Sequence, residues 1–435
     1  MNKGNIHQEN IFLFLTHFDF CSEKKNLSFF RMPTASIHET SASGNKNSSP
    51  GGGALTQQMM HDNPQDAYIY NSSARFFEQT KHRYTRFANE IRSKEVYMSF
   101  GRENSVQLDS VGNLIMNCFL EIELPSHVEP GSMTWRDDVG LILLKKMYVK
   151  IGEQVFTIHE RLFNDILKRT MASNRKKATG AMYGSGLSLS EPRVIFIPLH
   201  LFSMRSVSEL YFLPMYQNNQ GISITFDIEA IENCVVNGTQ GLSTIREFTA
   251  HLCYECIHLD DMEKYYLHAQ PSAYLIDAMK DAEALNISET TDGSEILTRK
   301  IRVQLNEINF AVTHIFIVAY SVEDVANNTF FNYLDVMEHV KLIIDGKEIV
   351  DSEIEALNID SYESARLKND NVYTISFAKT LVGKNPEGYL DFGKFKNKEL
   401  HVLLRDSTRV VVKAFAIGYS SVEYSGSATT MLYEL

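Results

Sequence analysis

Two halves of this chain repeat one another in order, and that repeat restricts the fold more than any single motif. Val106-Gln107-Leu108 recurs as Val303-Gln304-Leu305, an offset of 197 residues. The segment 149–155 (VKIGEQV) resembles 343–349 (IIDGKEI) at an offset of 194, with Gly152 on Gly346; each reads as a strand, a Gly-containing tight turn and a second strand. Ile197 to Phe202 parallels Leu390 to Phe395 at 193, and the strand at Ile222 parallels that at Leu400 at 178. The last strand of each half, around Leu252 and Ile417, gives 165. Each match alone is weak, but five in one order point to a duplicated unit. The offset falls from 197 to 165, so the first copy carries 32 more residues in its later loops.

The repeated unit is a β structure. Leu114, Met116, Cys118, Leu120, Ile122 and Leu124 share one parity, as a half-buried strand requires. The same alternation marks Ile222 to Ile228, Val303 and Leu305, and Leu400 to Leu404. Helical patterns are few and short: Ala74 to Tyr84, Arg161 to Thr170, Met262 to Gln270 and Val325 to Tyr333. A parallel sheet would need a crossover helix after most strands, and too few are present. The expected fold is all-β, two tandem eight-stranded antiparallel jelly-roll sandwiches.

The 435 residues, 44% hydrophobic and 22% charged, hold enough apolar material for two such cores. The net charge of −12 argues against a surface devoted to nucleic-acid phosphates. Ile11 to Leu15 is far short of the roughly 20 apolar residues a membrane helix needs, and no signal-peptide cleavage site follows it. Five cysteines, Cys21, Cys118, Cys234, Cys253 and Cys256, are odd in number and thinly spread, which suits folding in a reducing compartment. Residues 36–53 are rich in Ser, Asn and Gly and read as flexible. Met32, just before them, is an alternative translation start to Met1. The organisation expected is an N-terminal arm over 1–94 (flexible to 53, with a short helix in 54–94), a first jelly roll over 95–261, a helical linker over 262–298 and a second jelly roll over 299–435.

Several phrases resemble a known family. Gln65-Asp66-Ala67-Tyr68-Ile69-Tyr70, Phe76-Phe77 and Arg83 to Ala88 are similar to an amino-terminal pattern of QD-x-YLT, TFF and T-x-FA. Gly112-Asn113-Leu114-Ile115 with Glu121 to Pro125 resembles a G-D-L-I strand ending in L-P, and Ile197 to Phe202 a P-L-x-F-x-F segment. Leu259 to Lys264, followed by Tyr274-Leu275-Ile276, is similar to L-D-x-x-E-R and E-Y-L-I, and Tyr419 to Tyr433, with Ser425-Gly426, to the closing segment. The family is the double jelly-roll major capsid proteins of nucleocytoplasmic large DNA viruses. Phe316 or a neighbour replaces the family's Trp, and Leu390 to Phe395 departs from its N-F-S-R-I-D segment. The sole Trp, Trp135, falls in an early loop of the first domain.

The resemblance implies a structural protein without catalytic, cofactor or metal site. It implies homotrimeric, pseudo-hexagonal capsomers tiling the outer icosahedral capsid of a virion, assembled in the host cytoplasm. The partners implied are neighbouring capsomers, penton and minor (cement) proteins and an internal viral membrane, with no sequence-specific nucleic acid. The alternatives are a double jelly-roll minor capsid protein or a carbohydrate-binding β-sandwich protein.

Other chemistry is weaker. Cys253-x-x-Cys256 with His258 has a zinc-like spacing, but in a strand the two thiols point to opposite faces. His159-Glu160 opens an H-E-x-x-H pattern that Phe163 breaks. Gly180 to Gly186 and Asp345-Gly346-Lys347 lack the spacing of a phosphate loop and read as turns. Lys168-Arg169 and Arg175-Lys176-Lys177 read as cations at a helix end and in a solvated loop, with an acidic neighbour as the other option. Lys81, His82, Arg83 and Arg86 among Phe76, Phe77, Tyr84 and Phe87 read as an arm packing aromatics on a subunit base, with a grip on nucleic acid through charge and stacking as the other option. Asn71, Asn237, Asn286 and Asn327 are glycosylation sites only on the secretory route. Asp137, Asp138, Asp260 and Asp261 show no spacing that demands a paired-carboxylate cleft.

Overall fold

In the computed structural model, residues 87–431 are described apart from internal stretches, the longest being 126–133, 171–181, 185–192, 200–221 and 237–245. The arm motifs, the 175–177 cluster, Asn71, Asn237, Asn327 and the expected helix near residue 74 lie outside the described residues.

The first half runs β1 (Phe87–Ser99), β2 (Glu103–Gln107), β3 (Leu114–Leu124), β4 (Thr134–Trp135), β5 (Leu144–Ile151), β6 (Gln154–Glu160), β7 (Arg193–Leu199), β8 (Ile222–Ile228), β9 (Val235–Val236) and β10 (Glu247–Leu259). Its two main sheets have the orders β1-β10-β3-β7 and β2-β8-β5-β6. The second half runs β11 (Ser272–Leu285), β12 (Ile287–Glu289), β13 (Glu295–Leu297), β14 (Lys300–Gln304), β15 (Ala311–Ser321), β16 (Met337–Ile344), β17 (Lys347–Glu353), β18 (Val372–Ser376), β19 (Leu390–Asp391), β20 (Lys398–Leu404), β21 (Val410–Ser425) and β22 (Ala428–Met431). Its main sheets are β11-β21-β15-β18 and β14-β20-β16-β17. All the strand pairs are antiparallel, and the two halves repeat one order strand for strand. Each is an eight-stranded jelly roll, and the chain is a double jelly roll.

Each sandwich closes over its own apolar core. Met98, Leu120, Ile122, Ile197, Ile224 and Phe226 fill the first, and Val303, Ile315, Ile317, Leu342, Leu400 and Val402 the second. Strand β8 shows the expected alternation without exception, its isoleucines and Phe226 buried. Strand β3 does not. Asn117 takes a positive φ of 47° at a bulge, which reverses the parity before it. Ile115 therefore enters the core, whereas Met116 packs outside with Leu114, Ile257 and Leu259.

Four of the five repeat matches fall on equivalent strands: β2 on β14, the β5–β6 hairpin on β16–β17, β8 on β20 and β10 on β21. The fifth does not, because the topological partner of β7 is β18, whereas Leu390–Asp391 is the extra short strand β19. At the β16–β17 turn, Asp345 (φ 47°) and Gly346 (φ 77°) are both left-handed, as a two-residue hairpin loop requires. Asp345 Oδ1 accepts the Lys396 and Asn397 amides, at 3.2 and 2.9 Å, so this Asp-Gly-Lys is a structural turn.

Helices Arg161–Thr170 and Asp261–Ala269 form close to their expected places. The rest of the stretch read as a helical linker differs: Ser272–Leu285 is a strand paired with β21 along its whole length. Its inward Ala278, Ala282 and Ala284 are poor strand formers, so the sequence hides a strand that pairing imposes. Likewise Phe87–Ser99, which begins within the expected arm, is strand along β10. Phe330 to Tyr333 is not helical. Helix Ile354–Ala365, which periodicity did not reveal, follows β17 as Arg161–Thr170 follows β6.

Candidate interface between the two sandwiches

The helix Arg161–Thr170 begins where Glu160 Oε2 accepts the Phe163 amide at 2.9 Å, satisfying one of the first free N–H groups. Phe163, Ile166 and Leu167 recur at i, i+3 and i+4 and so share one face. That face packs on the outer side of the second sandwich's sheet, against Met279, Phe316, Phe415 and Ile417. The Phe163 ring lies 5.7 Å from that of Phe415 and 6.2 Å from that of Phe316, both tilted, which suits aromatic quadrupoles. Phe316 is fully buried here.

Charges pin the edges of this seam. Lys413 Nζ on β21 reaches Asp281 at 3.0 Å, Glu160 of the first sandwich at 3.4 Å and Glu283 at 3.9 Å. Burial works against the Lys413 charge, but Glu160 and Asp281 outweigh it and hold its pKa above the usual lysine range. Burial would raise the Asp281 carboxyl, yet the Lys413 ammonium holds it below the usual carboxylate range.

On the other flank, residues 330–333 of the second half reach the first. Arg161 pairs with Glu229 at 2.8 Å while its guanidinium lies 4.2 Å from the Phe330 ring centroid. Arg169 binds Asp165 at 2.7 Å, donates to the Phe331 carbonyl at 3.0 Å and stacks 4.7 Å from the Tyr333 centroid. The Tyr333 hydroxyl donates to the Leu162 carbonyl at 3.4 Å, and burial pushes its pKa well up. Lys168 pairs with Asp138 at 2.6 Å. Arg169, expected from sequence to be a cation of a solvated helix end, is therefore a seam residue, and Lys168 is buried within the first sandwich beside Asp138 and Tyr183.

The other sequence candidates are scattered. Cys256 sits in the first core, whereas Cys253 lies on the opposite face of β10, 3.5 Å from Ser93 Oγ. Burial pushes both thiols up to about 11. His258 of that motif pairs instead with Glu90 at 3.0 Å. Among the described residues no three His, Cys, Asp or Glu side chains gather as a metal site. Asp138 is committed to Lys168, and Asp261 is exposed beside Lys264 at 3.5 Å. Trp135 is buried within β4 rather than displayed on a loop. Asn286 is fully buried, its side chain accepting the Val410 amide at 3.1 Å, so a glycan has no access to it in the fold.

Sequence reasoning missed the seam, but a signal was present. Strand β15 is buried from Ala311 to Ala319 without alternation, whereas its counterpart β3 interrupts its outer face with Glu121 and Glu123. An unbroken apolar strand in an antiparallel sheet means that both faces are covered.

Residues 75–260 match the family described as major capsid protein N-terminus. The crystal structure of PBCV-1 VP54, fitted into a reconstruction of the virophage Sputnik, superposes with a TM-score of 0.66 at 16% identity, covering 83% of this chain and 100% of that one. The Faustovirus major capsid protein gives 0.65 at 8% identity, with 86% and 96% covered. The Sulfolobus turreted icosahedral virus major capsid protein gives 0.52 at 10%, with 77% and 96% covered. At such identities the likeness is one of fold. No curated protein matches the sequence.

Proposed function

We propose that this chain is a major capsid protein of a large DNA virus, and that three copies form a pseudo-hexagonal capsomer. The observation that carries this reading is the repeated strand order of two jelly rolls joined by an apolar seam, together with the family match over residues 75–260. Two like corners fixed in one chain let three chains present six like corners, so a three-fold ring approximates a six-fold tile. Such tiles would pave the outer icosahedral shell of the virion, assembled in the host cytoplasm. Their partners would be neighbouring tiles, penton and cement proteins and an underlying membrane. The role is structural rather than enzymatic. A glycan-binding reading has less support, since Asp138 and Asp261 pair with lysines rather than with each other.

Light scattering on the purified full chain should report about three times the 49.6 kDa chain mass, unchanged on dilution. Electron micrographs down the axis should show pseudo-six-fold outlines. A dilution-stable monomer with specific glycan affinity overturns the reading.

A further inference from the structure

The second sandwich buries a lysine among neutral oxygens. Lys398 opens β20 and is fully buried. Its Nζ donates to the Ile308 carbonyl at 2.6 Å, the Phe392 carbonyl at 3.0 Å and Asn309 Oδ1 at 3.2 Å. Burying an ammonium that only dipoles hold is costly, and this burial keeps the Lys398 pKa below the usual lysine range, although Asp345 and Asp391 pull the other way. A lysine desolvated in this way offers its amine as a nucleophile.

The electrophile in contact with it is the Asn309 carboxamide. The backbone fixes this meeting: the Lys398 amide donates to Asn306 Oδ1 at 2.8 Å, and the Lys398 carbonyl accepts the Leu305 amide at 2.8 Å. Asp391 completes the group. It stands across from Ala311 where β19 pairs with β15, and its Oδ1 accepts the Gly393 amide at 3.1 Å. A Cβ on Gly393 would meet the Asn309 carbonyl oxygen at 3.0 Å and Asp391 Oδ1 at 3.2 Å, so the carboxylate lies beside Asn309. Amine, carboxamide and carboxylate therefore converge where β14 leads into β15 and the turn Phe392–Lys394 leads into β20. The buried Phe392 ring, its centroid 5.9 Å from Lys398 Nζ, covers the amine, whereas Asn309 is exposed.

We propose that Lys398 and Asn309 join in an isopeptide bond inside the second sandwich. The Nζ lone pair attacks Asn309 Cγ, the Cγ–Nδ2 bond breaks, and the two protons that Nζ gives up leave with Nδ2. One ammonium and one carboxamide thus become one secondary amide and one free ammonium ion, with no change of oxidation state. Asp391 is placed to relay the protons, and the open side of Asn309 lets the ammonium ion escape, which draws the exchange forward. Holding the two groups in contact turns a bimolecular encounter into an intramolecular one. The product closes residues 309–398 into a covalent loop that contains β15 to β19, and such a loop restricts the unfolded chain.

Mass spectrometry of the full chain, incubated folded and then denatured, is the test. The wild type should weigh one ammonia less than its sequence mass, and its digest should contain a branched peptide joining the segment of Asn309 to that of Lys398. Asn309→Ala, at an exposed position that spares folding, should keep its full mass, release the two segments separately and melt at a lower temperature. Asp391→Asn retains an oxygen for the Gly393 amide and should fold, yet it should form the branched peptide at least about 100-fold more slowly; a purely structural Asp391 would leave that rate unchanged. A wild-type chain that stays at full mass overturns the proposal. So does an ammonia loss without the branched peptide, which would mean that an asparagine had cyclised on its own backbone. A branched peptide that forms as fast in Asp391→Asn overturns the relay. None of these readouts depends on how copies of the chain assemble.

Discussion

Lys413 concentrates the electrostatics of the seam in one side chain. It is 8% exposed and faces Glu160, Asp281 and Glu283. Lys413→Met removes the ammonium and leaves Glu160, itself 8% exposed, without its cation. Breaking a buried pair on one side costs about 3–5 kcal/mol, and a chemical melt at pH 7 should show a loss of that order. The pH dependence has a definite sign. The Asp281 carboxyl is held below its unfolded value, so its contribution is fully present above about pH 4 and is lost as pH falls further. Wild type should therefore lose stability between about pH 4 and pH 2 more steeply than the variant, and the gap between them should narrow. A gap that widens in acid would mean that the carboxylates draw little from Lys413.

At the scale of elements, β21 passes tightly over the bulge in β15 at Gly418. A Cβ on Gly418 would collide with the Ala311 carbonyl oxygen and crowd Val312 Cα at 2.8 Å. Both are backbone atoms, which cannot rotate away. Gly418→Ala should lower stability by at least about 2 kcal/mol, measured by denaturant melt, the clash outweighing the gain from the reduced freedom of the unfolded chain. Such local exceptions separate what could be read from the sequence from what could not. The β8 and β20 alternations were legible because one face of each meets the core and the other meets water. The parity switch at Asn117 was not, since a bulge leaves no mark in hydrophobic period. Strand β11 was obscured by its alanines, and the helix Ile354–Ala365 by serines buried where apolar residues would announce a face: Ser361 donates to the Leu357 carbonyl at 2.6 Å and accepts the Thr374 amide at 2.8 Å. The duplication was legible because homologous hairpins keep their turn chemistry. The seam was not, because a surface buried by a neighbouring domain looks like any other apolar strand until the neighbour is placed.

For the molecule as a whole, the seam decides whether two sandwiches behave as one body. Phe163 is its anchor, fully buried and touching two aromatic rings of the other sandwich. Phe163→Ala should cost about 3–5 kcal/mol, and the loss should fall on coupling more than on either core. Scanning calorimetry should then resolve two unfolding transitions where wild type shows one; a single transition merely shifted downward would place Phe163 in the first core instead. The difference between the two helices has an evolutionary consequence. In a ring of six identical single sandwiches, one mutation would alter every junction at once. In a tandem chain the two helices have diverged: Phe163 of the first is fully buried in the internal seam, whereas Ile359 of the second is 63% exposed. Selection can therefore harden the internal joint through Phe163 without altering the exposed face of the second helix.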